Sequence, residues 1–76
     1  MENTKKPDHD IRFGNIKASI WVNQTEYGDQ YTIMVSRLYK KDDKWQRAET
    51  FRPEDLPLLG TVINAAQSWI FDRMQS

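Results

Sequence analysis

The sequence predicts an α+β domain: a curved antiparallel β-sheet of three to four strands, followed by one C-terminal amphipathic helix. Two segments in the first half alternate between apolar and polar residues, and a stretch that contains glycine separates them. In the last third of the chain, apolar residues recur at three- and four-residue spacing. Alternation with a period of two is typical of strands, whereas the wider spacing is typical of a helix that buries one side.

The clearest strand signal lies between residues 16 and 23. The odd-numbered residues of this segment are Lys17, Ser19, Trp21 and Asn23, and the even-numbered ones are all apolar. We therefore predict a strand with one face in the core and the other in solvent. The residues predicted to face the core are Ile16, Ala18, Ile20 and Val22.

A second strand is predicted from about residue 31 to residue 40, after a hairpin connection over residues 24–30. Ile33 and Val35 are expected to share the core face of the first strand and to meet the helix. Arg37 lies on the same face near the strand end, so we expect its stem to pack and its guanidinium to reach water.

Turn signals frame these strands. Gly14-Asn15 predicts a bend, so residues 11–13 can begin the first strand before it. Residues 41–44 form a charged turn, and residues 45–51 are predicted to form a less regular third strand. Phe51, at its end, is the best candidate to fill the space between the sheet and the helix.

The start of the helix is marked by Pro53, which is followed by two acidic residues. Pro57 comes four residues later, so the first turn is expected to be irregular or a short separate turn. The regular helix is predicted from residue 58 to about residue 74. Gly60 inside it indicates a close approach to the sheet, because glycine costs about 1 kcal/mol relative to alanine in a helix.

Length and composition predict a small domain that needs further stabilisation. The chain has 76 residues, no cysteine and one histidine. We expect residues 1–10 to be a disordered arm and residues 11–76 to form the domain. Domains this small often depend on disulfides, a metal or a partner subunit. Cysteine is absent, and His9 with two neighbouring aspartates is a poor metal site, so we expect a homodimer without metal or cofactor.

Charge and hydropathy narrow the functional class. No apolar run approaches the ~18 residues of a membrane span, and no secretion signal is visible, so a cytoplasmic location is expected. The chain has 11 basic and 11 acidic side chains, but residues 11–52 carry a net charge of +3 and residues 53–76 a net charge of −2. The predicted sheet is therefore mildly basic. No nucleophile, phosphate-loop or metalloprotease motif is present, so we expect no enzymatic activity.

The predicted solvent face of the first two strands is unusually apolar. It presents Trp21, Met34 and Leu38 beside polar and basic residues. Apolar patches on an exposed sheet face usually mark a contact surface. Two interpretations stay open: a second subunit buries the patch, or Trp21 stacks on an unpaired base while nearby cations hold phosphates.

Three segments set the order strand, hairpin, strand, charged turn, strand and helix: residues 11–17 (IRFGNIK), 33–37 (IMVSR) and 51–56 (FRPEDL). Over roughly residues 11–66 the chain resembles the single-stranded-DNA-binding domain of the transcriptional positive coactivator family, which also has bacterial members. The resemblance implies a curved antiparallel sheet, a C-terminal helix used in dimerisation, and paired sheets that grip unwound DNA. It also implies a stacking aromatic near Trp21 and basic contacts.

We therefore predict a homodimer that binds single-stranded DNA or RNA with little sequence preference, in transcription or DNA maintenance. The alternative is a protein-interaction or regulatory module that uses the Trp21 face and binds no nucleic acid. The residues predicted to contact nucleic acid are Lys17, Ser19, Trp21, Arg37, Lys40, Lys41, Lys44, Trp45 and Arg47.

Overall fold

The computed structural model of the chain describes residues 6–75 and contains four β-strands followed by one long helix. A short 3-10 turn (Pro53–Asp55) precedes the helix. The sheet order is β1-β2-β3-β4, and each neighbouring pair is antiparallel. The predicted α+β class, with an antiparallel sheet and one C-terminal helix, is therefore confirmed. The elements are β1 (His9–Phe13), β2 (Ile16–Thr25), β3 (Gly28–Lys41), β4 (Lys44–Ala48) and α1 (Leu56–Gln75).

Tight turns connect all four strands. Gly14, with φ of 59°, begins the two-residue turn between β1 and β2, as glycine does in type II′ hairpins. Asp42 and Asp43 both have positive φ, which matches a type I′ turn between β3 and β4. The middle hairpin is shorter than predicted, because Thr25 already pairs with Gly28 across it. The predicted connection over residues 24–30 therefore belongs largely to the strands.

The N-terminal strand begins earlier than predicted. The disordered arm was expected to reach residue 10, but β1 starts at His9. Asp8 extends the ladder, since its backbone N–H donates to Ile20 O at 2.8 Å and its carboxylate accepts from Val22 N–H at 2.7 Å. Residues 1–5 of the predicted arm lie outside the described residues. The His9 ring also stacks on Trp69 at 4.6 Å, which ties β1 to the end of the helix.

The core lies between β2 and α1. Ile16, Ala18 and Ile20 are completely buried, as predicted, and they pack with Val62 and Ala66 of the helix. Removing apolar side chains from water is the main force that holds the helix on the sheet. Val35 and Phe51 pack at the margin of this core, as expected.

Ile33 faces the helix side as predicted but is less buried than expected, since 44% of its surface remains exposed. The reason is the position of α1, which packs mainly over β1 and β2, so that β3 lies at the margin of the helix. The prediction for Gly60 is also wrong: a Cβ added there would have no atom within 4 Å, so the glycine does not approach the sheet. Helix α1 is too polar to cross a membrane, and the same holds for the other helical residues between 6 and 75.

The helix start is irregular, as Pro57 predicts. The 3-10 turn ends at Asp55, which is buried, and α1 begins at the next residue. The Asp55 carboxylate accepts a hydrogen bond from Arg52 N–H at 2.9 Å. It therefore satisfies a backbone donor that the turn itself leaves without a partner.

Replacing Gly14 tests the turn between β1 and β2. We expect Gly14→Ala to lower the free energy of unfolding by about 2 kcal/mol, because an L-residue with positive φ is strained. The added Cβ would also lie only 3.0 Å from Leu58 Cδ1. Urea unfolding followed by circular dichroism measures the loss. Gly14→Asn is the control, since asparagine tolerates this backbone conformation and should lose less; equal stability of wild type and Gly14→Ala would contradict the prediction.

Candidate nucleic-acid interface

The register divides the predicted site residues between the two faces of the sheet. Directly paired residues in antiparallel strands lie on the same face, and Ile16, Arg37 and Ala48 form one such row. Arg37, Lys41 and Lys44 therefore lie on the face that carries the helix. The other six lie on the opposite, outer face: Lys17, Ser19, Trp21, Lys40, Trp45 and Arg47.

Four cations, one from each strand, collect at one end of the outer face. Arg12 pairs with Lys17, Leu38 with Arg47, and Lys40 with Trp45. Leu38 N–H donates to the carbonyl of Asn15 at 2.7 Å, which holds the turn between β1 and β2 beside the start of the β3–β4 pairing. We call these four residues the basic cluster: Arg12, Lys17, Lys40 and Arg47.

The usual spacing between strands and the usual rise per residue give the size of the basic cluster. It spans about 14 Å across the strands and about 13 Å along them. Trp45 stands at one corner of this area, on the edge strand β4, and is 63% exposed. It pairs directly with Lys40, and Arg47 follows two residues later on the same face. An exposed aromatic ring between two cations is the arrangement that single-strand binding requires, because the ring stacks on a base while cations hold the phosphates.

Trp21 lies in a different environment. It pairs with Thr32, and its neighbours along β2 are Ser19 and Asn23. It is half-buried and has contacts of its own within the protein. Lys17, the nearest cation along β2, is four residues or about 13 Å away. The structure thus places the predicted stacking residue in the other half of the outer face, beside the Asp10–Ser19 pair and apart from the basic cluster.

Acidic side chains also lie near this face, and two of them, Asp42 and Asp43, form the turn directly before Lys44 and Trp45. Among the strand residues that the structure describes, Asp10 is the carboxylate on the outer side, opposite Ser19. Ser19 is buried and donates its hydroxyl to Asp10 Oδ1 at 2.7 Å. This bond occupies the Ser19 hydroxyl, which the sequence analysis assigned to nucleic acid.

Arg37 is committed to the fold. Its Nε donates to the carbonyl of Thr50 at 3.0 Å and lies 3.7 Å from Asp55 Oδ2. The guanidinium also stacks over the Tyr39 ring at 5.5 Å. Only 14% of the side chain is exposed, so the guanidinium reaches water less than expected. The buried Asp55 carboxylate draws the guanidinium inward, because a charge away from water needs a partner.

Lys41 and Lys44 flank the turn at the end of β3. They pair with each other and, with Tyr39 and Gln46, line a shallow polar depression on the helix side of the sheet. They are exposed, but the sheet separates them from Trp45 and the basic cluster. Their contact with nucleic acid stays a prediction, and a single bound strand on the outer face would not reach them directly.

Sequence reasoning missed Arg12 as a site residue. The signal was present in the pattern: Arg12 and Lys17 stand symmetrically about the Gly14-Asn15 turn, and a two-residue hairpin pairs such positions. In the described part of the chain, no group of three or more histidine and acidic side chains could hold a metal ion. What the outer face offers to a ligand is the positive charge of the basic cluster and the exposed ring of Trp45.

The chain matches no known family, no curated protein and no solved structure. The functional argument accordingly rests on the residues and on their arrangement in the fold.

Removing the charge of Asp55 tests the role of Arg37 in the fold. We expect Asp55→Asn to lower the free energy of unfolding by about 2 kcal/mol, because Arg37 then lacks its counter-ion in a mostly buried place. The amide can still accept the hydrogen bond from Arg52 N–H, so Asp55→Ala should lose about 1 kcal/mol more. Chemical denaturation of the three proteins measures this order. Identical stability of all three would show that the ion pair contributes nothing.

Proposed function

We propose that this protein binds single-stranded DNA or RNA with little sequence preference, as a cytoplasmic homodimer without enzymatic activity. The observation that carries the proposal is the basic cluster, to which every strand of the sheet contributes one cation and in which Trp45 lies beside Lys40 and Arg47. A role in transcription or DNA maintenance would follow from such binding.

Charge segregation supports attraction of a polyanion although the chain is neutral. With 11 basic and 11 acidic side chains, the protein as a whole offers no net attraction to phosphates. Within the reach of the basic cluster, however, positive charge dominates the outer face. Cations that neutralise phosphates release condensed counter-ions, and this release drives binding at low salt.

The aromatic residue supports a preference for unpaired strands. A base can stack on Trp45 only when its face is not covered by neighbouring bases, and such stacking contributes about 1–3 kcal/mol per base whatever the base is. The outer face is an open sheet surface, with no helix on that side to enter a groove of a duplex. The same surface suits an extended strand whose phosphates run along the cations.

The half of the outer face around Trp21 favours the alternative function, a protein-interaction module. Met34 is 37% exposed there, and it stands diagonally beside Trp21. Apolar side chains of this kind on a sheet face fit a protein partner better than a phosphate backbone. The two halves of the face can be tested separately, because no residue of the basic cluster lies beside Trp21.

The first test replaces each tryptophan of the outer face. We expect Trp45→Ala to weaken binding of a labelled oligo-dT at least about fivefold, which corresponds to the loss of one stacked base. Trp21→Ala is the matched control and should change the affinity little. Fluorescence anisotropy of the labelled strand measures both, and oligo-U in parallel distinguishes DNA from RNA. A larger loss from Trp21→Ala would place the strand on the half of the outer face around Trp21.

The second test uses the salt dependence of binding. If four phosphates are neutralised, a plot of log affinity against log salt concentration should have a slope of roughly −3. Changing Lys40 and Arg47 to glutamine should reduce the slope by about half. The same change at Lys41 and Lys44 removes equal charge on the other face and should leave the slope nearly unaltered. No measurable binding of the wild type at low salt would refute the proposed function.

A further inference from the structure

One side of β3 is an open sheet edge. The strand has 14 residues, but β4 pairs only with the part from Arg37 to Lys41. Within residues 6–75, no strand pairs with that side of residues 28–36. This edge is about 30 Å long at the usual rise per residue. Its unpaired N–H and C=O groups form a template for another strand.

The open edge also lacks the usual protection against pairing. Natural edge strands carry charges, prolines or bulges that discourage contact with other chains. Residues 30–36 read Gln-Tyr-Thr-Ile-Met-Val-Ser, with no charged residue and no proline. Ile33 and Met34, on opposite faces of this segment, are 44% and 37% exposed. Such a segment is expected to be covered in the working form of the protein.

Helix α1 has a second apolar seam besides the one in the core. The core seam contains Val62 and Ala66, which are buried. The second seam repeats with spacings of four and three residues, the pattern of a helix that packs on another helix. Three of its apolar members are exposed, Leu56 by 58%, Ile63 by 48% and Met74 by 67%, and the fourth, Ile70, is partly buried against the core. The second seam consists of Leu56, Gly60, Ile63, Gln67, Ile70 and Met74.

The open edge and the second seam border the same groove. Ile33 and Val35 of β3 line one wall, and Ile63 and Ile70 of the helix line the other. The groove has a volume of about 190 Å³ and exposes only apolar surface. The two unpaired features therefore form one continuous face, which includes the sheet edge, the groove and the helix flank.

We infer that a second copy of this chain covers this face, with β3 paired to β3 of its partner in one continuous eight-stranded sheet. A two-fold axis reverses the direction of a strand, so the open edge pairs antiparallel with its own copy. The two helices then lie on the same side of the joined sheet, and the apolar groove of each chain, between its second seam and β3, is turned toward the axis. A bound peptide strand would cover only the open edge, and a bound helix would cover only the second seam. A second copy of the chain supplies both a strand and a helix.

The size of the face agrees with a dimer interface. The edge and the 20-residue helix are each about 30 Å long, and the sheet and helix layers together are about 20 Å thick. This area is comparable with the ~800 Å² that each partner contributes to a standard interface. The inference rests on the homodimer in the proposed function and names its contact surface. It also leaves both outer faces open, with the two basic clusters toward opposite ends of the joined sheet.

The first experiment measures mass in solution by light scattering. We expect the wild type to have twice the 9.0 kDa mass of the chain. Ile63→Asp, which places a charge in the second seam, should shift the protein to the single-chain mass. Asn64→Asp adds the same charge one residue away on the exposed side of the helix and should leave the dimer intact. Circular dichroism confirms that both variants fold.

The second experiment locates the two-fold axis with cysteine pairs, which this cysteine-free chain permits without background. Residue 32 is the centre of the open edge, and paired side chains across an antiparallel ladder lie within reach of a disulfide. We expect oxidation of Thr32→Cys, alone or mixed with Met34→Cys, to give covalent dimers. Asn23→Cys is the control, because Asn23 lies on the same face but on β2, one strand away from the open edge. It should give no covalent dimer.

The outcomes separate the interface from the proposed function. A dimeric wild type that resists Ile63→Asp and forms no link through β3 would overturn this interface while leaving the homodimer in place. A monomeric wild type would overturn both the interface and the homodimer. Oligo-dT titration of the wild type then tests nucleic-acid binding separately, since the basic cluster lies within one chain.

Discussion

The packing of α1 over only two of the four strands determines most of the other features of this protein. Ile16, Ala18 and Ile20 of β2 present a smooth, fully buried surface to Val62 and Ala66 of the helix. The helix follows this surface and stops short of the middle of β3. The core is therefore small, one flank of the helix stays exposed, and β3 carries apolar residues that the monomer leaves uncovered.

The same sheet sorts its cations by face. On the helix side, Arg37 is used to join β3 to the helix start, because Asp55 and the carbonyl of Thr50 hold its guanidinium. On the outer side, each strand adds one cation to the basic cluster, where water and ligands reach it. A neutral chain thus acquires one positive surface through strand register, and this surface is the one that we propose for phosphates.

The two proposed contact surfaces do not compete. The basic cluster and Trp45 lie on the outer face, whereas the open edge, the groove and the second seam lie along one side of the protein. Pairing through β3 extends the sheet within its own plane, so both outer faces stay accessible. Dimerisation would also bury the apolar surface that a 76-residue chain has too little interior to enclose.

The sequence by itself determined the element types and the buried face of the first hairpin. Strict alternation along residues 16–23 leaves one possible core face, because a strand alternates its side chains and water excludes the apolar set. The order of strands and helix followed from the turn residues in the same way. For the candidate site, alternation along the first two strands also placed Lys17 and Lys40 on the outer face. Trp45 and Arg47 lie in the predicted third strand, which is less regular, so the pattern alone did not assign their face.

Only the tertiary structure decided which of these residues work together. Whether Trp21 or Trp45 stands among cations depends on how β3 and β4 pair, and a shift of one residue would move every side chain to the other face. The inward position of Arg37 depends on Asp55, which is 18 residues away in the chain. Local sequence determines the alternation of each strand. Register and helix position depend on contacts between distant segments, so only those contacts bring the residues of the candidate site together.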